Sequence, residues 1–244
     1  MLPSPLSYTS NNYVQTECVL EINLYFRSDY VRVEEKKRKI RSDKKRDVKP
    51  LIPVDLKECI YSLSYITNTP VKDVVEEICI SGVSSPKVMD YLSNYFRRGF
   101  SSESTVYMGD MSIEPIRKLY KNIEKERVST RLKDGHGETY DVIKRLAYAL
   151  DSTPSLATSF LIEASIKNSD FVDEYMTKHL EEELDQGRLK ELKEVLKFLN
   201  KNNPYKEEVS LHNLISYIMD ELKIGAANLG SSVQNWLDSV KNKE

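Results

Sequence analysis

Little in this sequence speaks for a covalent staple, a metal centre or a membrane. There are three cysteines, Cys18, Cys59 and Cys79, spaced too far apart for a metal knuckle. Cys59 and Cys79 fall on apolar helical stripes and read as small core residues, which suits a reducing cytosol. The three histidines, His136, His179 and His212, have no ligand spacing between them. Glycine is scarce, and nothing resembles a phosphate-cradling glycine loop or a nucleophile elbow. Asp134-Gly135-His136-Gly137-Glu138 looks like a site at first glance, but turn residues around one histidine are ordinary loop composition. No apolar run reaches bilayer length, and the first residues lack the charged-then-apolar pattern of an export signal. The expectation is a cytoplasmic chain that is not an enzyme, with no cofactor, no metal and no membrane partner.

What is abundant is charge, unevenly spread. Charged residues make up 30% of the chain, yet the net charge is only -2. Lys36, Lys37, Arg38, Lys39, Arg41, Lys44, Lys45, Arg46 and Lys49 crowd one segment, and Glu181, Glu182, Glu183 and Asp185 crowd another. A near-zero sum therefore conceals a basic stretch suited to phosphate contact, with Lys44, Lys45 and Arg46 at its end.

Along the chain, one block occurs twice, from about Arg46 to Phe96 and from about Arg127 to Leu180. Each copy reads as a short polar strand, a helix, a tight turn opening on proline, a second helix and a third. Val88-Met89-Asp90-Tyr91-Leu92-Ser93 corresponds to Val172-Asp173-Glu174-Tyr175-Met176-Thr177, and Asn68-Thr69-Pro70 to Ser152-Thr153-Pro154. Such a period must be found first, because it decides the fold. Before the first copy, residues 1–12 read as a loose arm, and Tyr13 to Val33 as a strand pair of period two.

In copy one, Pro50 and Pro53 forbid a central strand but allow an edge ribbon. The first helix carries Leu56, Cys59, Ile60, Leu63 and Ile66 on one face; the second carries Val71, Val74, Val75 and Ile78. Thr67-Asn68-Thr69-Pro70 reads as a hydroxyl cap followed by proline at the first helical position. Gly82 is the expected left-handed cap of the second helix, with Asn168 in that role in copy two. Pro86 opens a third helix with Val88, Leu92, Tyr95 and Phe96 inward. Gly99 to Gly109 is a serine-rich linker, and Ser112 to Glu126 is expected to be helical.

In copy two, Val128, Thr130 and Leu132 alternate with Arg127, Ser129, Arg131 and Lys133, so strand geometry gives those four polar groups one face. Val142, Ile143, Leu146 and Leu150, then Ala157, Phe160, Leu161 and Ala164, form the next two stripes. The turn between these helices is expected to be about two residues longer than in copy one. Leu184, Leu189, Leu192, Val195, Leu196 and Leu199 begin a helical C-terminal region, to pack on the body or mediate self-association. The domain expectation is 1–45 for arm, strands and basic linker, 46–180 for the doubled region (46–98 and 127–180), and 181–244 for the C-terminal helices.

The doubled strand-helix-helix block resembles the ribbon-helix-helix family, the Met and Arc repressor-like DNA-binding superfamily. The resemblance covers roughly the middle half of the chain. It implies a mainly α fold with two tandem units sharing a short antiparallel β-ribbon, beside an N-terminal β-hairpin and a helical C-terminal region. In that family the ribbon enters the major groove and each second helix points its N-terminus at a phosphate. Carried onto this chain, Lys49 to Ile52 pairs with Arg127 to Leu132. Arg127, Ser129, Arg131 and Lys133 read bases with Lys49 opposite. The amides after Thr69 and after Thr153 and Ser155 clamp phosphates. The outward set of copy one, Asp47, Lys49 and Leu51, suits base reading poorly: either that copy has lost direct readout or the register is off by one.

The implied partner is double-stranded DNA, bound by a transcriptional repressor of a phage, plasmid or bacterium that is nucleoid-associated when on DNA. A replication or segregation factor uses the same contact. The reading from another class is a helical, antitoxin-like protein-interaction module, with a homo-oligomer formed through the C-terminal helices. Ala226 to Trp236 also resembles a helix-turn-helix but is short between Ser231 or Ser232 and Trp236, and reads better as an amphipathic helical hairpin.

Overall fold

A computed structural model describes residues 44–102, 105–179, 186–210 and 213–214. The strand pair expected at 13–33, the basic run at 36–41, the acidic run at 181–185 and the helices expected beyond 214 lie outside them. Among the described residues the fold is mainly helical with small antiparallel sheets. Strands β1 (Lys45–Val48) and β2 (Leu51–Pro53) lead into helices α1 (Val54–Thr67), α2 (Val71–Ser84) and α3 (Pro86–Ser93). A hairpin of β3 (Phe100–Ser102) and β4 (Thr105–Tyr107) and a single turn, α4 (Ile116–Leu119), follow. The order then recurs as β5 (Lys125–Arg127), β6 (Thr130–Lys133), α5 (Thr139–Ala149), α6 (Pro154–Ile166) and α7 (Ser169–His179), before α8 (Gln186–Asn200).

The strands form one antiparallel ribbon with a single register. β1 pairs with β6, Lys45 opposite Lys133 and Val48 opposite Thr130. β2 pairs with β5, Leu51 opposite Arg127 and Pro53 opposite Lys125. Pro50 has no N–H to give, which opens the ladder between β1 and β2. Its carbonyl still accepts from Val128 N at 3.1 Å, so the register runs through the gap, and Asp134 N donates to Lys44 O at 2.8 Å just beyond the end of the β1–β6 ladder. The expected pairing of Lys49 to Ile52 with Arg127 to Leu132 is thus present only in part: Leu51 and Ile52 lie opposite Arg127 and Glu126, while Thr130 to Leu132 lie opposite Val48 to Arg46. Alternation then sorts the side chains. Val48, Pro50, Ile52, Val128, Thr130 and Leu132 face the core, while Lys45, Asp47, Lys49, Leu51, Arg127, Ser129, Arg131 and Lys133 face outward. The one-residue slip is therefore excluded, and Asp47, Lys49 and Leu51 are the outward set.

The helical stripes expected in both copies are buried apart from the half-buried Val71 and Val142: Leu56, Cys59, Ile60, Leu63 and Ile66 in α1, Val74, Val75 and Ile78 in α2, and Ile143, Leu146 and Leu150 around α5. α6 is buried nearly all round. Its buried hydroxyls are satisfied inside the helix, Thr158 Oγ1 donating to Pro154 O at 2.7 Å, Ser159 Oγ to Ser155 O at 3.0 Å and Ser165 Oγ to Leu161 O at 2.6 Å. That removes the cost of burying an unpaired hydroxyl, about 1–3 kcal/mol each. α2 and α6 pack together at the centre, and each leans on the strand from the other half of the chain, α2 on β6 and α6 on β2.

Several local expectations need correction. Gly82 lies inside α2 and is buried; it does not end it. A side chain there would collide with α6, since a Cβ would meet Leu161 Cδ1 and Ser165 Cβ at 3.0 Å. Asn168 is not left-handed either: its side chain accepts from Asp170 N at 3.3 Å, holding the start of α7. The left-handed residues between first and second helices are Asn68 (φ 52) and Asp151 (φ 51). The turn of copy two, 150–153, is one residue longer than that of copy one, 68–70, and not two. Proline opens the second helix only in copy two, where Pro154 is the first helical residue behind a Thr153 cap; in copy one Pro70 itself is the cap residue. Finally, Ser112 to Glu126 is helical only at α4, and Lys125 and Glu126 belong to β5. Ile116 and Tyr120 are buried, but Leu119 and Ile123 are exposed, so no continuous stripe holds a longer helix. The serine-rich linker also contains the β3–β4 hairpin.

Candidate functional site

The outward face of the ribbon is the densest group of cations among the sequence-expected residues. Its geometry follows from the register. At one end Lys45 lies opposite Lys133, and next to them Asp47 lies opposite Arg131. Lys49 and Ser129 meet at the middle, and Leu51 lies opposite Arg127 at the other end. Like charges directly opposite on a ribbon are destabilising, about 1 kcal/mol for two unit charges in water at this range. The Lys45 side of that pair is relieved by Glu76, whose carboxylate lies 2.6 Å from Lys45 Nζ.

Asp47 is the one acid on the face. Ser129 Oγ donates to it at 3.2 Å, and Lys49 Nζ lies 3.4 Å from its other oxygen. The remaining predicted cations sit at the ribbon's margin. Lys44 Nζ and Arg46 Nε approach Asp134 at 3.6 and 3.5 Å, and the Arg46 guanidinium stands 5.4 Å above the Tyr140 ring. These pairs are exposed on the cation side, so each contributes little to stability and yields readily to an anionic partner. Arg127, Arg131 and Lys133 are exposed on the same face.

The N-termini of α2 and α6 flank this ribbon, held by reciprocal bonds. Thr130 Oγ1 donates to Lys72 O at 2.9 Å, and Ser155 Oγ donates to Lys49 O at 3.1 Å. Thus Ser155 is brought to the ribbon as expected, though its hydroxyl is spent on the backbone. Thr153 Oγ1 accepts from Leu156 N at 3.3 Å and caps its own helix. Thr69 does not cap α2: its hydroxyl donates to Thr67 O at 3.3 Å, and α2 has no side-chain cap. Ser155 and Lys72 are thereby tied to the ribbon, whereas the hydroxyls of Thr69 and Thr153 bond within their own turns. Lys72, exposed at the start of α2, was missed by sequence reasoning; only the pairing of α2 with the opposite strand brings it there.

Elsewhere the titratable groups read as structural. Burial pushes the thiols of Cys59 and Cys79 far above their ordinary range, so neither is a nucleophile. The Asp141 carboxyl is held below its usual range first by Lys144, then by the Gly137 amide, which fixes the loop before α5. His136 is fully exposed, 4.0 Å from Asp141, and His179 Nε2 lies 2.7 Å from Glu77. Among the described residues there is no cluster of metal-ligating side chains, and no helix long and apolar enough to cross a membrane. Comparison with protein-family models, curated proteins and solved structures finds no match.

Proposed function

We propose that this chain binds double-stranded DNA sequence-specifically, as two ribbon-helix-helix units in tandem that share one ribbon, and acts as a transcriptional repressor. The observation that carries the reading is the ribbon itself. Its strands come from distant parts of the chain, share one register, and turn Arg127, Ser129, Arg131 and Lys133 outward together. A two-stranded ribbon fits the major groove, and guanidinium groups on it reach guanine O6 and N7. The starts of α2 and α6 beside it supply backbone amides and a positive dipole end for the flanking phosphates. Copy one, with Asp47, Lys49 and Leu51 outward, contributes fewer donors to bases, so copy two carries most of the direct readout. Lys44, Lys45 and Arg46 add positive charge at the margin of this face for the phosphate backbone.

The test is a binding titration of the full chain on labelled duplexes, starting with the DNA upstream of its own coding sequence, at two salt concentrations. Each neutralised phosphate contributes a slope of about −0.9 to log K against log salt. Arg131→Ala is expected to weaken binding by about 1–3 kcal/mol and to relax preference for one base pair. Equal loss on specific and random duplexes would mean that Arg131 touches only phosphate. Absence of salt-sensitive binding to any duplex would remove the DNA reading.

A further inference from the structure

The register carries one consequence beyond DNA binding as such, and it rests on that reading. In a ribbon built from two identical strands, the cross-strand pairs on either side of the centre are the same. Here the centre lies at Lys49 and Ser129, and the flanking pairs differ: Asp47 with Arg131 on one side, Leu51 with Arg127 on the other. Both pairs keep an arginine from the second strand. Its companion is a carboxylate in one case and an isobutyl group in the other.

These companions have different chemistry toward base edges. Asp47 is an acceptor, and the major-groove edge of cytosine offers the N4 amine that an acidic side chain accepts from. Asp47 also repels phosphate, so the duplex must meet it with a donor-bearing base edge. Leu51 is 40% exposed between charged neighbours, which leaves apolar surface in water until a methyl group covers it. The thymine C5-methyl is the apolar group of the major groove. Asp47 is also held in place, by Ser129 Oγ at 3.2 Å and Lys49 at 3.4 Å, so its position on the face is set before any partner arrives.

We propose that the chain reads a non-palindromic duplex. Guanine occurs in both halves, under Arg131 and Arg127, with cytosine specified beside one by Asp47 and thymine beside the other by Leu51. A single chain carrying both strands makes such a site readable, because the two halves of the ribbon are free to diverge.

The test is selection from a randomised duplex pool with the full chain, followed by sequencing, for the wild type, Leu51→Ala and Asp47→Leu. Both substituted side chains are exposed, and circular dichroism melting checks that the fold is kept. The wild type is expected to enrich an asymmetric site. Leu51→Ala is expected to lose about fivefold to tenfold of the preference for thymine over cytosine at one position, without change in the other half. Asp47→Leu is expected to shift the enriched site toward an inverted repeat. A palindromic wild-type site overturns the inference and leaves DNA binding standing. An asymmetric site that Leu51→Ala and Asp47→Leu both leave unchanged also overturns it, because these residues then do not discriminate. No enrichment together with no salt-sensitive binding removes the underlying reading instead.

Discussion

At the residue scale, Gly82 is a position where no side chain fits unless its neighbours shift. It lies where α2 crosses α6, and the facing residue is Ser165, whose own hydroxyl is turned back to Leu161 O at 2.6 Å. Adding one methyl group forces the two helices apart, an overpacking cost of about 1–3 kcal/mol, partly offset by about 1 kcal/mol from alanine's better helix propensity. Gly82→Ala is therefore expected to lower the urea midpoint, and Ser165→Gly in the same chain to recover part of the loss. A Gly82→Ala chain as stable as the wild type would mean that the crossing is looser than described. The sequence shows a glycine near the end of a helical stripe, which also fits a terminating cap. It does not show what packs across from it, and that neighbour comes from residues more than eighty positions away. The left-handed turn residues that do end the first helices, Asn68 and Asp151, belong to the types that accept positive φ best after glycine. Their role was hidden only because the turn also contains hydroxyls and proline.

At the element scale, legibility tracks how much of an element's reason is local. α1, α2 and α5 carry stripes of helical period and bury them as expected. The second-strand alternation from Arg127 to Lys133 likewise matches its burial residue by residue. The stretch 112–126 fails because its apolar residues have helical spacing but no shared surface. Ile116 and Tyr120 enter the core, Tyr120 giving its hydroxyl to Glu163, while the chain must straighten by Lys125 to join the ribbon. α8 was open to two uses from sequence, packing on the body or on another copy. Its stripe of Leu189, Leu192, Val195, Leu196 and Leu199 is buried, and it lies against α1, with Ser62 Oγ donating to Glu191 at 2.7 Å. Leu192→Ala is accordingly expected to cost about 2–5 kcal/mol of unfolding free energy, by lost transfer and cavity terms together. Were the same substitution to change oligomeric state in sedimentation while leaving the unfolding midpoint untouched, α8 would be an interface helix and not part of this core.

At the scale of the whole molecule, the two halves of the chain are interlocked rather than set side by side. Each ribbon strand pairs with a strand of the other half, α2 and α6 pack on each other, and each of them rests on the opposite strand. The helix termini are tied across as well. Arg97 N and Arg98 N both donate to Ala149 O, at 2.8 and 3.0 Å, and Arg98 Nη2 lies 2.7 Å from Asp151, so the linker after α3 closes the end of α5 with amides and positive charge. Asn168 Nδ2 meets Ser85 Oγ at 3.4 Å between the two third helices. Neither half thus owns a complete core: without the other, Ile52, Val74, Val75, Ile78 and Leu132 lose the surface that covers them. The covalent link converts this pairing into an intramolecular step, at an effective concentration far above that of separate fragments. Fragments 44–115 and 116–214, made separately, are expected to show no cooperative thermal transition. Mixed in equal amounts, they are expected to regain helical circular dichroism with a Tm that rises with concentration, as it does when folding and association are one equilibrium. A cooperative transition in either fragment alone would show that half to be an independent folding unit. The ribbon would then be a contact between two finished domains, its register set by docking and not by the shared core beneath Val48, Ile52, Val128 and Leu132.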